Sequence, residues 1–390
     1  MASVVLAQRY SFVAYGPEKG LTNPAAMALA QDHQGFVWVG TENGLFRYDG
    51  HRFQRFFEKG GLPSPAITSL YEDQAGVLWI GTLKGLAAAT PDRAKVTVRV
   101  PDAFIFKVTG DRQGRILAGT PRGLFLLPDP TDPAAKFLIH PASVTPARAK
   151  GEPPLPRAVT AVVADRQDAV WFAQGPVIIR VTSGQPPERF TPGSSGPPAI
   201  WRSATLTAQG EIWFRSDQKL AQFRPDTQQF TEHELQAPIS SRPVFHLGSD
   251  RFGRLLVPST LGLMTGRPGD WGRAARRHGL PANDVLTVLE DREGSIWIGT
   301  ANGLVRWLGY GEWQGYTEFE GLPADNVETL LAVGERRIVV ADGTLGIGEK
   351  SGHHWSFEPL APHELNRISA VSADSDGRQV LLASAGRLLR

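Results

Sequence analysis

The sequence predicts an all-β chain, a single closed β-propeller of nine four-stranded blades, and three observations carry that reading. One segment recurs with a period of about 41 residues. Its strands are apolar on both faces. The outer strand that the last repeat lacks is present at the N terminus.

The repeat is clearest in Gly35-Phe-Val-Trp-Val-Gly-Thr-Glu-Asn-Gly-Leu45, Gly76-Val-Leu-Trp-Ile-Gly-Thr-Leu-Lys-Gly-Leu86 and Gly294-Ser-Ile-Trp-Ile-Gly-Thr-Ala-Asn-Gly-Leu304. Weaker copies begin at Gly114, Asp168, Gly210, Gly253 and Gly377. A ninth, degraded copy follows Gly321-Leu-Pro-Ala-Asp-Asn-Val327. Residues 128–156, rich in Pro and Ala, read as an irregular insertion between strands.

Within the first unit, Ala26–Ala30 is a short apolar strand fit for the centre of a larger body. Asp32-His-Gln-Gly35 is a tight turn, with Asp bonding backbone N–H groups and Gly taking positive φ. Phe36–Thr41 alternates Phe36, Trp38 and Gly40 against Val37, Val39 and Thr41, so both faces need a covering sheet. Glu42-Asn-Gly44 turns the chain into Leu45–Tyr48, and Phe53–Phe56 is the outermost strand. Small sheets covered on both faces and repeated along a chain stack around an axis as propeller blades. A helical solenoid is excluded, because the windows alternate with period two. Trp38, Trp79, Trp171, Trp213 and Trp297 share one point of the second strand, which the alternation sends between blades. They read as core in preference to a stacking platform for a ligand.

The lone strand Tyr10–Tyr15 precedes the first inner strand, whereas the last repeat supplies Ile368–Val371, Val380–Ala383 and Arg387–Leu389 and then stops. Pairing the two ends closes the ring and leaves no naked edge. Residues 1–9 are expected to be a disordered tail or a remnant ending in the last residues of a removed signal, and 10–390 the propeller. The competing arrangement is a seven-bladed ring ending near residue 308, followed by two blades.

Composition limits the function classes. Of 390 residues 41% are hydrophobic and 21% charged, ample for a buried core, and the formal charge is only +2. No strand couples a dense basic run to stacking aromatics, which leaves no case for nucleic acid. The absence of cysteine excludes disulfides, thiolate metal sites and cysteine nucleophiles. No apolar run reaches the roughly 20 residues of a membrane span. The repeated carboxylates Asp32, Asp73 and Asp291 stand at turns on the face opposite the loops that join blades. No metal site, cofactor or catalytic constellation is expected.

The run Gly-Leu-Pro, then Asp-x-x-Gly-x-Leu/Ile-Trp-Ile-Gly-Thr-x-x-Gly-Leu, best seen at 61–86 and 279–304 and nearly as well at 20–45, resembles the two-component-regulator propeller repeat. That resemblance implies the sensor region of a bacterial hybrid histidine kinase or diguanylate cyclase. It further implies a periplasmic module outside a membrane helix, without catalysis of its own, binding a small molecule or oligosaccharide and possessing a dimer or signalling partner. A protein-binding scaffold and a polysaccharide-acting enzyme are the alternatives.

The loops entering each inner strand share one rim with the turns between second and third strands. On that rim, or in the channel beneath it, the candidate ligand residues are Arg157, Arg242, Asn283, Asp325, Asn326 and Arg367. Where strong repeats carry small or aliphatic side chains, the degenerate inner strands carry Phe104, Phe106 and Lys107, then Trp201 and Arg202, then Phe245 and His246. Aromatics beside cations suit a sugar or an anionic small molecule. The competing role is to plug a wide axial channel.

Overall fold

The computed structural model describes residues 10–57, 60–132, 135–143, 156–193, 198–235, 237–238 and 246–310. Beyond these it describes 322–324, 326–333, 336–341, 344–351, 354–360, 368–373, 380–384 and 387–389. Among the described residues the regular structure is antiparallel strand with three short 3₁₀ turns, and the strands form nine sheets. The chain divides into two compact units, one spanning Phe12–Tyr310 and one made chiefly of Gly311–Arg390.

The larger unit holds seven four-stranded sheets. The first blade is Ala26–Gln31, Val37–Thr41, Gly44–Tyr48 and Phe53–Phe56, in spatial and chain order. The second blade runs from Ile67–Glu72 to Val96–Pro101 and the third from Lys107–Gly110 to Leu138–Ile139. The fourth runs from Ala161–Ala164 to Glu188–Phe190, the fifth from Ser203–Leu206 to Gln229–Glu234, and the sixth from Gly248–Ser249 to Asp270–Ala274. The seventh comprises Val285–Glu290, Ile296–Thr300 and Gly303–Trp307, completed by the N-terminal strand Phe12–Tyr15.

This last pairing corrects the expected closure. Phe12 faces Trp307 and Tyr15 faces Leu304, so the N-terminal strand completes the seventh blade and not the C-terminal one. The physical reason is aromatic packing. Tyr15 stacks on Trp297 at 5.3 Å and meets Phe53 of the first blade edge-on at 5.5 Å. The seventh inner strand in turn packs against the first, so the seven inner strands follow one another around a circuit. At the turn face Arg292 N donates to Gln31 Oε1 at 2.8 Å, joining seventh blade to first. His33 to Glu72 and Arg251 to Glu290 make the equivalent links from first to second and from sixth to seventh. The expected single ring of nine is therefore replaced by seven blades in one unit and two sheets in the other.

Interblade packing explains the repeat. The indoles of Trp38, Trp79, Trp171 and Trp297 are buried, each with Nε1 donating to the turn aspartate six residues earlier. Those aspartates also accept backbone N–H bonds, as Asp73 does from Ala75 and Val77. One carboxylate thus closes the turn and anchors the tryptophan of its own blade. Gly40 must be glycine because a Cβ there would stand 2.5 Å from Ile67 Cγ2 of the next blade. In the fifth blade Arg215 takes that position, and its buried guanidinium donates across to Pro258 O and Ala237 O of the sixth.

The insertion is not wholly irregular. It supplies Leu138–Ile139, the outer strand of the third blade, and the turn Pro141–Ser143. The smaller unit contains one four-stranded sheet, Val327–Val333, Arg336–Ala341, Thr344–Ser351 and His354–Leu360, and one three-stranded sheet, Ile368–Ala373, Val380–Ser384 and Arg387–Leu389. Ile338, Val340, Leu345 and Ile368 form one core cluster in it, and Leu322, Ala324, Val339 and Phe357 another.

Candidate functional site

The seven inner strands each bring two successive residues to the axial end of their blade. Register aligns Met27, Thr68, Phe106, Thr160, Arg202 and Leu286 at the first position. Ala28, Ser69, Lys107, Ala161, Ser203 and Thr287 stand at the second, and His246 precedes its strand at the same level. In the first, second and seventh blades the register shifts at the first position, a bulge that turns the side chain out of the ladder.

Several of these positions close the centre. Met27 and Leu286 are buried together, with Phe104 and Ala301 packed against them. Phe104 and Phe106 lie 4.6 Å apart in a tilted pair. His246 N donates to Leu286 O of the seventh blade, while its Nε2 donates to Thr68 O of the second at 2.8 Å. The imidazole therefore bridges blades that are not neighbours. Because a carbonyl only accepts, Nε2 carries the proton. Burial, reinforced by the Lys107 charge, lowers the His246 pKa to about 3, so the ring is neutral. Lys107 itself is lowered to about 8 by burial alone.

Four of the expected site residues, Phe104, Phe106, Lys107 and His246, are thus brought together at the axis. The others are not. Trp201 is fully buried, packed with Trp171 and Phe214 between the fourth and fifth blades, and Nε1 donates to Pro176 O at 3.1 Å. It is a core residue, a correction to its place among ligand candidates. Arg202 forms a forked pair with Asp217 at 2.6 and 3.3 Å on the exposed rim. Arg157 is exposed on that rim, and its backbone O accepts from Gln174. Asn283 Oδ1 accepts from Arg276 N at 2.7 Å, fastening the turn before the seventh blade. Asn326 belongs to the smaller unit. Arg242, Phe245, Asp325 and Arg367 lie outside the described residues.

Sequence reasoning missed Thr68, whose hydroxyl donates to Ile105 O at 2.6 Å while its carbonyl receives His246. The readable signal was a polar residue at a position where the first and seventh blades carry Met27 and Leu286. Among the described residues no group of three metal-ligating side chains occurs, and no helix is long and apolar enough to cross a membrane.

This geometry defines a β-propeller whose axial end is plugged by an aromatic, lysine and histidine cluster beneath an arginine-bearing rim. The model of the two component regulator propeller matches residues 20–43, 61–84 and 279–302, so the chain carries that repeat at these three places. The fold is similar to the extracellular domain of the hybrid two component system BT3049 from B. thetaiotaomicron. Identity there is 19% and the TM-score 0.70, over 96% of this chain and 52% of that one. It is also similar to the extracellular domain of the one component system BT4673 from B. thetaiotaomicron, at 18% identity and TM-score 0.58, over 98% and 52%. The chain therefore spans about half the length of each. A virginiamycin B lyase from Staphylococcus aureus is matched at 12% identity and TM-score 0.59, over 76% of this chain and 98% of that one. Among curated proteins none matches it.

Proposed function

We propose that this chain is an extracytoplasmic, non-enzymatic sensing module of a bacterial signalling receptor, periplasmic in location, which binds a small polar ligand over the plugged axis of its seven-bladed unit. The repeat family and the likeness to extracellular domains of two-component and one-component systems support the sensory role. The observation that carries the ligand site is Lys107, a partly buried ammonium at the axis with no carboxylate in contact among the described residues, below a rim bearing Arg157 and Arg202. Even partial desolvation of a charge without a counter-ion is costly. An anionic or polyhydroxylated ligand reduces that cost by supplying acceptors.

A screen of acidic and neutral oligosaccharides and small carboxylates by thermal shift tests this reading. A true ligand raises the melting temperature by mass action, a stabilisation of roughly 2.7 kcal/mol at one hundred times its Kd. Lys107→Met is expected to abolish the shift. Recovery of the ligand unchanged after incubation is the expected outcome, whereas steady product formation would establish an enzyme instead.

A further inference from the structure

The third and sixth blades break the tryptophan rule, and they do so differently. Register places Leu117 and Leu256 where other blades carry Trp79 or Trp297. Each of these tryptophans reaches toward the following blade, as Trp79 packs on Ile105 and Ile116. In both exceptional blades the turn aspartate, lacking an indole, takes an arginine four residues on: Asp111 with Arg115 and Asp250 with Arg254, each at 2.6 Å.

In the sixth blade the space is filled from elsewhere. Tyr310 is buried against Trp307 at 4.8 Å, and its hydroxyl donates to Asp250 Oδ2 at 2.9 Å, the bond an indole Nε1 makes in the regular blades. In the third blade no aromatic side chain takes that place among the described residues. A cavity of about 310 Å³ lies there, floored by Leu117 and Leu126 of the third blade and Val170 and Val181 of the fourth. Arg115 and His140 stand in its wall.

Both polar groups have donors to offer. Arg115 uses Nε on Asp111, and its Nη atoms have no partner among the described residues. His140 Nδ1 accepts from Ala142 N at 3.2 Å, which leaves the proton on Nε2. Protein interiors are close-packed, so a gap at a position that repeats fill elsewhere is a departure that a ligand can use. The size sits at the lower end of the roughly 300–1,000 Å³ typical of ligand pockets.

We infer that the cleft between the third and fourth blades is a binding site for a small flat aromatic carboxylate, its ring standing where the missing tryptophan would lie and its carboxylate on Arg115 and His140. This site is separate from the axial one and does not rest on the sensory reading.

Titration calorimetry with indole-3-acetate as probe tests it. Saturable one-to-one binding is expected, with indole-3-acetamide roughly tenfold weaker because it forfeits the charge-assisted bonds. Arg115→Gln removes that discrimination. Leu117→Trp restores the repeat, fills the space and abolishes binding. Leu126→Phe, on the strand paired with Leu117, narrows the same cavity and serves if the first variant does not fold. Lys107→Met leaves indole-3-acetate binding unchanged, which separates this site from the axial one. Absence of saturable binding at millimolar probe, or binding undiminished in a folded Leu117→Trp or Leu126→Phe variant, would overturn the assignment.

Discussion

At the scale of single residues, the pairing of a turn carboxylate with an indole gives the most direct test. Trp79 Nε1 donates to Asp73 Oδ2 at 2.8 Å in a fully buried setting. Trp79→Phe keeps most of the apolar contact but strands that oxygen, and an unsatisfied buried acceptor costs about 1–3 kcal/mol. Chemical denaturation of the variant should show that loss with an unchanged slope. His246 adds a pH effect whose sign is fixed. Its folded pKa of about 3 lies below the ordinary value near 6.5, so between those limits the unfolded chain binds the proton and the folded chain does not. The stability contribution is complete above about pH 6.5 and is lost as pH falls toward 3. His246→Gln should flatten the fall in denaturation midpoint over that window, and an unaltered profile would refute the buried neutral imidazole. Lys107, lowered to about 8, acts at the other end, adding stability as pH rises from about 8 toward 10.5.

At the scale of the strand, Tyr15 decides which blade the N terminus completes. Other outer strands set an aromatic ring against the tryptophan of their own blade, Phe56 on Trp38 at 4.9 Å and Phe190 on Trp171 at 5.7 Å. Tyr15 does the same on Trp297. Tyr15→Ala removes one layer of that stack, and deletion of a buried aromatic costs about 3–5 kcal/mol. A melting temperature equal to that of the parent would show that the strand is dispensable. The period, the two-faced strands, the turn aspartates and the inward tryptophans were all legible in the sequence, because each depends on local spacing. The partner of Phe12–Tyr15 was not, since a four-residue edge strand fits the ladder of any blade. Its choice rests on a contact nearly 300 residues away. A legible sign existed all the same. The repeat beginning at Gly377 has no tryptophan on its second strand for Tyr15 to cover, whereas the one beginning at Gly294 has Trp297. Lys107 and His246 stood out as departures from small or aliphatic inner-strand residues, but that the imidazole would bridge to Thr68 depends on long-range geometry. Trp201 misled because an aromatic beside an arginine looks the same whether it faces the axis or the neighbouring blade.

At the scale of the whole molecule, the circuit of inner strands makes Phe12–Tyr310 self-sufficient. Every sheet in it has a neighbour on both faces, the seventh meeting the first through Tyr15, Trp297 and the Arg292–Gln31 bond. Hydrophobic burial is the dominant favourable term in folding, and the seven blades bury their faces on one another around this circuit. Tyr310 is nevertheless essential to the unit, because it supplies the aromatic ring that Leu256 omits between the sixth and seventh blades. A fragment of residues 10–310 should therefore fold cooperatively, with the near-ultraviolet signature of buried tryptophans. Ending the fragment at 308 instead removes Tyr310 and exposes Asp250, at a cost of about 3 kcal/mol or more for the lost aromatic and its hydrogen bond. If the ring needed all nine sheets, both fragments would be equally unfolded. The two-residue difference between them isolates the contribution of Tyr310 to the interface of the sixth and seventh blades, because everything else in the circuit is held constant.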